Sequence, residues 1–152
     1  GKIIFIRHAY APGSGDPNNF NLNDCSTQRN LNEEGRKQAE YIGEFFRNNN
    51  IKIDKVLSSE WCRCKETAKI AFKKFSTNSF LNSFYSSKFA KNKDKQITAL
   101  NDYIKKFNSN DNLILVTHYV LISEVLNYGP SSGEIVVSDK NFNIVGTVEI
   151  DY

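Results

Sequence analysis

Three short apolar segments, spread along a chain of 152 residues, constrain the fold more than any other feature of the sequence. They read KIIFI at 2–6, IDKVLSS at 53–59 and NLILVT at 112–117. Apolar runs rich in β-branched residues are typical of strands buried on both faces of a parallel sheet. Segments with helical spacing lie between them. This alternation predicts an α/β fold, a three-layer α/β/α sandwich with a mostly parallel central sheet.

Helices and a closing hairpin complete the expected fold. The spacing of apolar residues predicts helices and strands at the following positions: helices over 31–48, 60–75, 96–107 and 119–127, and strands over 134–138 and 143–150. Residues 9–30 are rich in Gly, Pro, Asn and Asp and predict a long irregular loop, which in a compact domain is either functional or disordered. No element is assigned to residues 76–95.

The composition is that of an ordinary globular domain and predicts one domain over 1–152. The net charge is only +3 and the lysines are scattered among acidic residues, so nucleic acid is not an expected partner. No segment approaches the ~20 apolar residues that a membrane span needs, and membrane is not an expected partner either. The expected compartment is the cytoplasm, or the periplasm or exterior if a leader precedes Gly1. The oligomeric state is not predicted.

The three cysteines, Cys25, Cys62 and Cys64, are too few and too poorly spaced for a zinc site. No metal or other cofactor is expected. Plain thiols are the favoured interpretation in a cytoplasm. In an exported protein, Cys25 pairs with Cys62 or Cys64 and leaves one free thiol. A redox or metal function built on Cys62 and Cys64 is a distant alternative.

The chain contains only two histidines, and each directly follows an apolar strand. Parallel strands bring their carboxyl ends to one edge of the sheet, where ligands of such folds bind. His8 and His118 are therefore expected to meet there, near Ser59. A neutral imidazole is a nucleophile toward phosphorus, and a guanidinium binds two phosphate oxygens at once. Arg7, next to His8, and Arg63, in the first turn of a helix, predict a phosphoryl site.

Four segments in residues 1–125 resemble, in order, the motifs of the histidine phosphatase superfamily, which has the phosphoglycerate mutase-like fold. They are F-I-R-H-A at 5–9, Q-R-N-L-N-E-E-G-R-K-Q-A at 28–39, V-L-S-S-E-W-C-R-C-K-E-T-A at 56–68 and L-V-T-H at 115–118. Four motifs at matching intervals are specific where a single R-H-A is weak. The resemblance implies a small single-domain phosphatase.

The resemblance also implies roles for matching residues. His8 is the expected nucleophile that becomes phosphorylated, and Arg7 and Arg63 are expected to bind the phosphoryl oxygens. His118 is expected to donate a hydrogen bond to the same group. The reaction that follows from these roles needs no metal.

Residues around the pocket match the family less closely. Ser59 is expected in or behind the pocket and Arg29 at its rim or in a structural role. The family's Gly-Gly after the second histidine is here Tyr119-Val120, and Ala9 stands where the first histidine is often followed by Gly. The backbone N–H of Tyr119 is expected to assist His118, within a pocket whose walls differ from those of the family.

The general acid of many family members has no evident counterpart, because 80–84 reads FLNSF. Candidates elsewhere are Asp16 and Asp24 in the long loop, Glu60, and Glu134. Each is more often a solvated or capping acid than a catalyst. A good leaving group, such as the imidazole of phosphohistidine, needs less protonation and would require no such acid.

The expected function is hydrolysis of a phosphomonoester or phosphohistidine through a phosphohistidine intermediate. Mutase activity is disfavoured because a chain this short has little room for the segments that bind a sugar acid. The expected partner is a small phosphorylated substrate or a phosphoprotein. The alternative is a phosphate-binding module with weak catalysis, since fold alone does not establish activity.

Overall fold

A computed structural model describes all residues of the chain, 1–152. Its strands are β1 Ile3–Arg7, β2 Ile53–Ser58, β3 Ser76–Thr77, β4 Asn112–Thr117, β5 Ile135–Ser138 and β6 Ile144–Val148. They form one sheet in the order β3-β2-β4-β1-β5-β6. The first four strands run parallel, and β5 and β6 continue the sheet in antiparallel pairs. The mostly parallel central sheet is therefore confirmed.

Four α-helices cover the sheet: α1 Glu33–Asn48, α2 Cys62–Phe72, α3 Lys93–Lys106 and α4 Tyr119–Leu126. Alternate residues of β1 and β4 point to opposite faces, so the core divides in two. One cluster includes Ile4, Ile114, Ile42 of α1 and Ala68 of α2. The other includes Ile3, Leu113, Leu100 of α3 and Leu121 of α4. This division confirms the α/β/α sandwich. None of the helices combines the length and apolar character of a membrane span.

Local capping explains where the observed helices differ from the expected ones. α1 begins after Asn32, whose side-chain oxygen accepts a hydrogen bond from the Gly35 N–H at 2.9 Å. α2 ends earlier than expected, where Lys73 takes a positive φ of 68°. α3 begins earlier than expected because the 3₁₀ turn Ala90–Asn92 leads directly into it.

Residues 76–95, for which the sequence predicted no element, contain the two-residue strand β3 and two 3₁₀ turns, Ser79–Leu81 and Ala90–Asn92. A strand this short carries no periodic signal. The hairpin of β5 and β6 lies within its expected bounds. Its turn is fixed by Asp139, whose carboxylate accepts hydrogen bonds from the N–H groups of Asn141 and Asn143 at 2.8 and 2.9 Å.

Cys25 and Cys62 form a disulfide that joins the loop of residues 9–30 to the first residue of α2. The favoured expectation of three plain thiols is wrong for this pair, and the alternative pairing holds. Cys64 is a free, buried thiol. A redox or metal function of Cys62 with Cys64 loses its basis, because Cys62 is bonded to Cys25. The chain also contains no group of three or more His, Cys, Asp or Glu side chains that could hold a metal ion.

Candidate active site

The carboxyl ends of β1 and β4 bring the two histidines together. Arg7 ends β1 and His8 follows it, while Thr117 ends β4 and His118 follows it. The His8 N–H donates to the Thr117 carbonyl at 3.0 Å, which extends the parallel pairing by one residue. The ring centroids of the two histidines are 5.7 Å apart. The convergence expected from the sequence is therefore present.

A pocket of about 420 Å³ opens at this edge of the sheet. Its lining includes all four residues to which the resemblance assigned phosphoryl chemistry: Arg7, His8, Arg63 and His118. Two of the three further expected pocket residues, Arg29 and Tyr119, also line it, whereas Ser59 does not.

The ring of His8 is buried, and its hydrogen bonds define which nitrogen carries the proton. Nδ1 lies 2.8 Å from the Ala9 carbonyl oxygen, which can only accept, so Nδ1 carries the hydrogen. Nε2 accepts a hydrogen bond from Nε of Arg63 at 3.2 Å. Burial, and then the charge of Arg63, hold the pKa of His8 well below its usual range. His8 is thus a neutral imidazole with its Nε2 lone pair toward Arg63.

The buried guanidinium of Arg63 is held on several sides by the protein. Besides His8, it contacts Asp16, with NH1 to Oδ1 at 2.8 Å and NH2 to Oδ2 at 3.4 Å. NH1 also donates to the Arg29 carbonyl at 3.2 Å. Arg63 lies in the first turn of α2, where the helix N-terminus adds positive potential. An anion bound by Arg63 therefore competes with the carboxylate of Asp16.

Every hydrogen-bond partner of the Asp16 side chain is a donor. Oδ1 accepts from Arg63 and from the backbone N–H of Arg29, and Oδ2 accepts from Nε1 of Trp61 at 3.1 Å. Asp16 is the one expected proton-donor candidate that lines the pocket, but its contacts are those of a carboxylate that accepts hydrogen bonds.

Arg7 has a buried donor without a partner. Its NH1 donates to the Pro130 carbonyl at 3.0 Å, its guanidinium lies 5.4 Å from the centre of the Tyr119 ring, and Nε has no hydrogen-bond partner. Burial, opposed in part by Tyr119, lowers the pKa of Arg7. An unpaired buried N–H is costly, so the protein alone does not satisfy every donor of this guanidinium.

His118 is held from behind by Ser59. Its Nε2 lies 2.9 Å from Oγ of Ser59 and 3.5 Å from Sγ of Cys64, so Nδ1 is the ring nitrogen that remains for a ligand. Burial, and to a smaller extent the positive charge of Arg63, hold the pKa of His118 well below its usual range. Burial raises the pKa of the Cys64 thiol to about 12, so the thiol stays neutral beside the ring. Ser59 therefore orients His118 and does not face the pocket.

The side chains that line the pocket carry a net positive charge, which favours binding of an anion. Three guanidiniums, those of Arg7, Arg29 and Arg63, share it with one carboxylate. Arg29 uses two of its donors on the carbonyls of Gly15 and Ala11. Burial and the charge of Arg63 lower the pKa of Arg29 to about 10. A bound dianion would relieve this mutual repulsion.

The other three proton-donor candidates do not line the pocket. Asp24 accepts a hydrogen bond from the Ser26 N–H and caps the turn Cys25–Thr27. The carboxylate of Glu60 accepts from Asn82 at 2.8 Å. Glu134 is buried and accepts from the Tyr128 hydroxyl and the Ser131 N–H, which shapes the turn that carries Pro130. All three have structural roles at these positions.

Sequence reasoning missed the aromatic residues of the pocket. Beyond Tyr119, its lining includes Phe20, Trp61, Tyr85 and Phe89. These residues come from the long loop, from the position before α2 and from the segment 76–95. The one feature of the sequence that these residues share is that they are aromatic residues in segments without a periodic apolar pattern. Such a feature does not predict where a side chain lies in the fold.

The sheet and the paired histidines and arginines at its edge define an α/β protein of the phosphoglycerate mutase-like class. The family model for the histidine phosphatase superfamily, branch 1, matches residues 3–82, more than half of the chain. The chain belongs to this superfamily of phosphatases and mutases. The matched region contains Arg7, His8 and Arg63 and ends before His118.

Similarity to a curated protein is limited to one segment. Over 68 residues the chain is 37% identical to "Serine/threonine-protein phosphatase Pgam5, mitochondrial" of Drosophila virilis. This segment covers 45% of the chain and 21% of that protein. The chain thus aligns with only about a fifth of the length of this relative.

Solved structures resemble the chain over nearly its whole length. The protein histidine phosphatase SixA complexed with tungstate has a TM-score of 0.64 at 12% identity, covering 99% of this chain and 96% of that one. Phosphoglycerate mutase from Thermus thermophilus has a TM-score of 0.66 at 14% identity, covering 99% and 100%. At these identities the likeness shows a shared fold.

Proposed function

We propose that the protein is a phosphatase that hydrolyses a phosphomonoester or a phosphohistidine through a covalent phosphohistidine on His8. The single observation that carries this proposal is the unprotonated Nε2 of a neutral His8 in one pocket with three guanidiniums. An unprotonated nucleophile and a cluster of positive charge are what phosphoryl transfer requires. Attack by Nε2 requires Nε of Arg63 to give up the hydrogen bond that it donates to this nitrogen at 3.2 Å.

The reaction proceeds in two displacements. The Nε2 lone pair attacks phosphorus, an N–P bond forms, and the bond to the leaving oxygen or nitrogen breaks with its electron pair. The leaving group takes a proton from solvent. Water then attacks phosphorus, the N–P bond breaks with its electrons returning to Nε2, and a proton passes to solvent. The net reaction is hydrolysis to inorganic phosphate.

The surrounding residues stabilise the charge that spreads over the phosphoryl oxygens. The guanidiniums of Arg7 and Arg63, which both line the pocket, bind these oxygens, and Arg63 exchanges part of its contact with Asp16 for the substrate. His118, held by Ser59, contributes through its remaining ring nitrogen. The backbone N–H of Tyr119 assists it at the start of α4. No residue in this scheme calls for a metal.

The relatives support the reaction class. The segment shared with Pgam5 comes from a protein named as a serine/threonine phosphatase, and SixA is named as a protein histidine phosphatase. These names are compatible with a phosphoprotein or a small phosphorylated molecule as the substrate. The tungstate bound to SixA is an oxyanion, the kind of ligand that the charge of this pocket favours.

Covalent labelling tests the proposal. After brief exposure to radiolabelled acetyl phosphate in the presence of a metal chelator, we expect label on His8 that is lost in acid. The His8→Asn variant should neither take up label nor turn over substrate, with kcat reduced by about 10⁴-fold or more. Turnover by His8→Asn, label on another residue, or restoration of activity only by added metal would contradict the proposal.

One observation favours a second candidate, a phosphate-binding module with weak catalysis. Asp16 occupies the donors of Arg63, and no carboxyl group lining the pocket is placed as a proton donor. Binding of vanadate without turnover of acetyl phosphate or any activated phosphate would favour this alternative. Multiple turnovers of acetyl phosphate by the wild-type protein would exclude it.

A further inference from the structure

Beyond the arginines and histidines, the pocket is walled by aromatic rings. Trp61 stacks on Phe20 with ring centroids 4.9 Å apart, and Phe89 meets the two edge-on at 5.4 and 5.6 Å. Tyr85 and Tyr119 also line the pocket. Five aromatic rings thus border a space that a phosphate group alone would not fill.

The aromatic wall begins where the phosphoryl site ends. The ring centroid of Trp61 lies 5.5 Å from that of His118. The indole N–H of Trp61 donates to the carboxylate of Asp16, which is paired with Arg63. On another side, the ring of Tyr119 covers the guanidinium of Arg7. A group attached to a phosphoryl on His8 therefore lies among aromatic rings.

Two of these rings are exposed and are therefore not core residues. Tyr85 is 68% exposed and Tyr119 is 45% exposed, both among the few large apolar side chains on the surface of the protein. Phe20 and Phe89 are partly buried. Exposed aromatic surface beside a polar site is typical of a ligand pocket, where it packs against an apolar part of the ligand.

We infer that the substrate carries its phosphoryl group directly on a planar aromatic ring, which stacks among these side chains as the leaving group. This inference rests on the proposed function. A phenol, or an imidazole that carries a proton on its other ring nitrogen, departs with the electron pair of the broken bond more easily than an alkyl alcohol does. Such a leaving group suits a pocket whose one carboxylate is engaged by donors.

The ring could come from either of two sources, a phosphorylated phenol as in phosphotyrosine or a phosphorylated imidazole as in phosphohistidine. Both place a flat ring next to phosphorus, and the structure fits this shared chemistry. Edge-to-face and stacked contacts hold either ring. Lys88 at the rim adds positive charge for a substrate that is itself anionic.

Binding of phosphonates, which are not hydrolysed, tests the inference without relying on turnover. Trp61 is the only tryptophan of the chain and lines the pocket, so its fluorescence reports binding. We expect phenylphosphonate to bind about tenfold more tightly than methylphosphonate, as stacking of one ring provides. Equal affinities would overturn the inference whether or not the protein is a phosphatase.

Variants and substrates sharpen the test. The Tyr85→Ala and Phe89→Leu variants should each reduce the preference for phenylphosphonate by about threefold or more, and Tyr41→Ala, an exposed tyrosine of α1 outside the pocket, should leave it unchanged. If neither pocket variant changes the preference, the rings do not form the subsite.

Turnover then identifies the source of the ring and separates the two proposals. Wild-type kcat/KM is compared for phenyl phosphate, phosphoimidazole and a fluorinated alkyl phosphate whose alcohol matches phenol in acidity. A preference for phenyl phosphate indicates the phenol, and one for phosphoimidazole indicates the imidazole. Hydrolysis without preference over the fluoroalkyl ester overturns the inference alone. Absence of all hydrolysis, with phenylphosphonate still preferred, overturns the proposed phosphatase function and leaves the aromatic subsite in place.

Discussion

The pocket has two halves that differ in how the protein holds them. The strand-end group consists of Arg7, His8, Arg63 and His118. The loop group consists of Asp16, Phe20, Arg29, Tyr85 and Phe89. The first group lies at strand ends or in the first turn of a helix, and the second lies in residues 9–30 and 76–95, outside the strands and α-helices.

The backbone of the strand-end group is fixed by the sheet, as in the hydrogen bond from His8 to Thr117. The loop group depends on side-chain contacts instead. Gln28 ties the loop to the N–H of Cys62, and Arg29 binds two loop carbonyls. The difference indicates that the sheet positions the residues that react with the phosphoryl group, while the loops determine which substrate binds beside them.

The largest effect should come from the strand-end group. Arg63→Lys keeps the charge but loses the planar fork that reaches His8 and Asp16 together. We expect kcat/KM for acetyl phosphate to fall by about 10³-fold, as measured by steady-state kinetics.

Arg36→Lys is the matched control, because Arg36 lies on α1 outside the pocket and bonds only the Leu31 carbonyl. This variant should stay within about twofold of the wild type, as surface changes usually do. If kcat/KM of Arg63→Lys fell by less than tenfold, the distinction between the two groups would be contradicted, because the strand-end group would then not determine the rate of phosphoryl transfer.

Removing the disulfide tests whether the protein can lose stability in the loop without losing catalytic activity. Cys25 and Cys62 are 37 residues apart, and opening a loop of this length costs about 3–4 kcal/mol of unfolding free energy in the chain-entropy account. The double variant Cys25→Ser, Cys62→Ser should show this loss in urea unfolding. Its kcat/KM for acetyl phosphate should fall by less than about tenfold, roughly 1.4 kcal/mol.

Reductant supplies the control for this experiment. It should destabilise the wild type to a similar degree and leave the double variant unchanged. A loss of activity as large as that of Arg63→Lys would show that the loop and the strand-end group cannot be separated.

The same division explains what could be predicted from the sequence. β1 and β4 carry uninterrupted apolar runs, so their ends, and with them His8 and His118, could be located. Arg63 could be placed because α2 follows β2 directly. Periodicity fixes such elements, and parallel pairing then fixes where their ends meet.

Apart from Arg29, which was expected at the rim of the pocket or in a structural role, the loop group could not be placed because its positions depend on contacts distant in sequence. Phe20 and Phe89 are 69 positions apart, yet they meet around Trp61. Asp16 could be named as an acid of the loop, but its contacts with Arg63 and Trp61 have no periodic signature. The disulfide could be proposed only as one of two pairings, since connectivity is not encoded in cysteine spacing.

The pH dependence of stability should belong to the strand-end group, because the chain's only histidines are His8 and His118. Burial lowers the pKa of both, so the folded protein binds fewer protons than the unfolded chain. The free energy of unfolding is therefore at its full value above the ordinary histidine pKa of about 6.5. It falls as the pH decreases from there toward the lowered pKa values of the folded protein. Each histidine contributes up to about 1.4 kcal/mol per pH unit to this fall. Urea unfolding between neutral and mildly acidic pH measures this slope. His8→Asn should reduce the slope by about half, and an unchanged slope would contradict the assignment.

The smallest effect should come from Asp16, whose removal sharpens the boundary between the two groups. Asp16→Asn takes away a negative charge that competes for Arg63, so vanadate should bind about tenfold more tightly, or about 1.4 kcal/mol. Calorimetry measures this directly. Asp24→Asn, in the same loop but outside the pocket, is the matched control and should bind vanadate as the wild type does. Weaker binding by Asp16→Asn would instead mean that the carboxylate is needed to hold Arg63 in place, and that the loop contributes to the chemistry as well as to recognition.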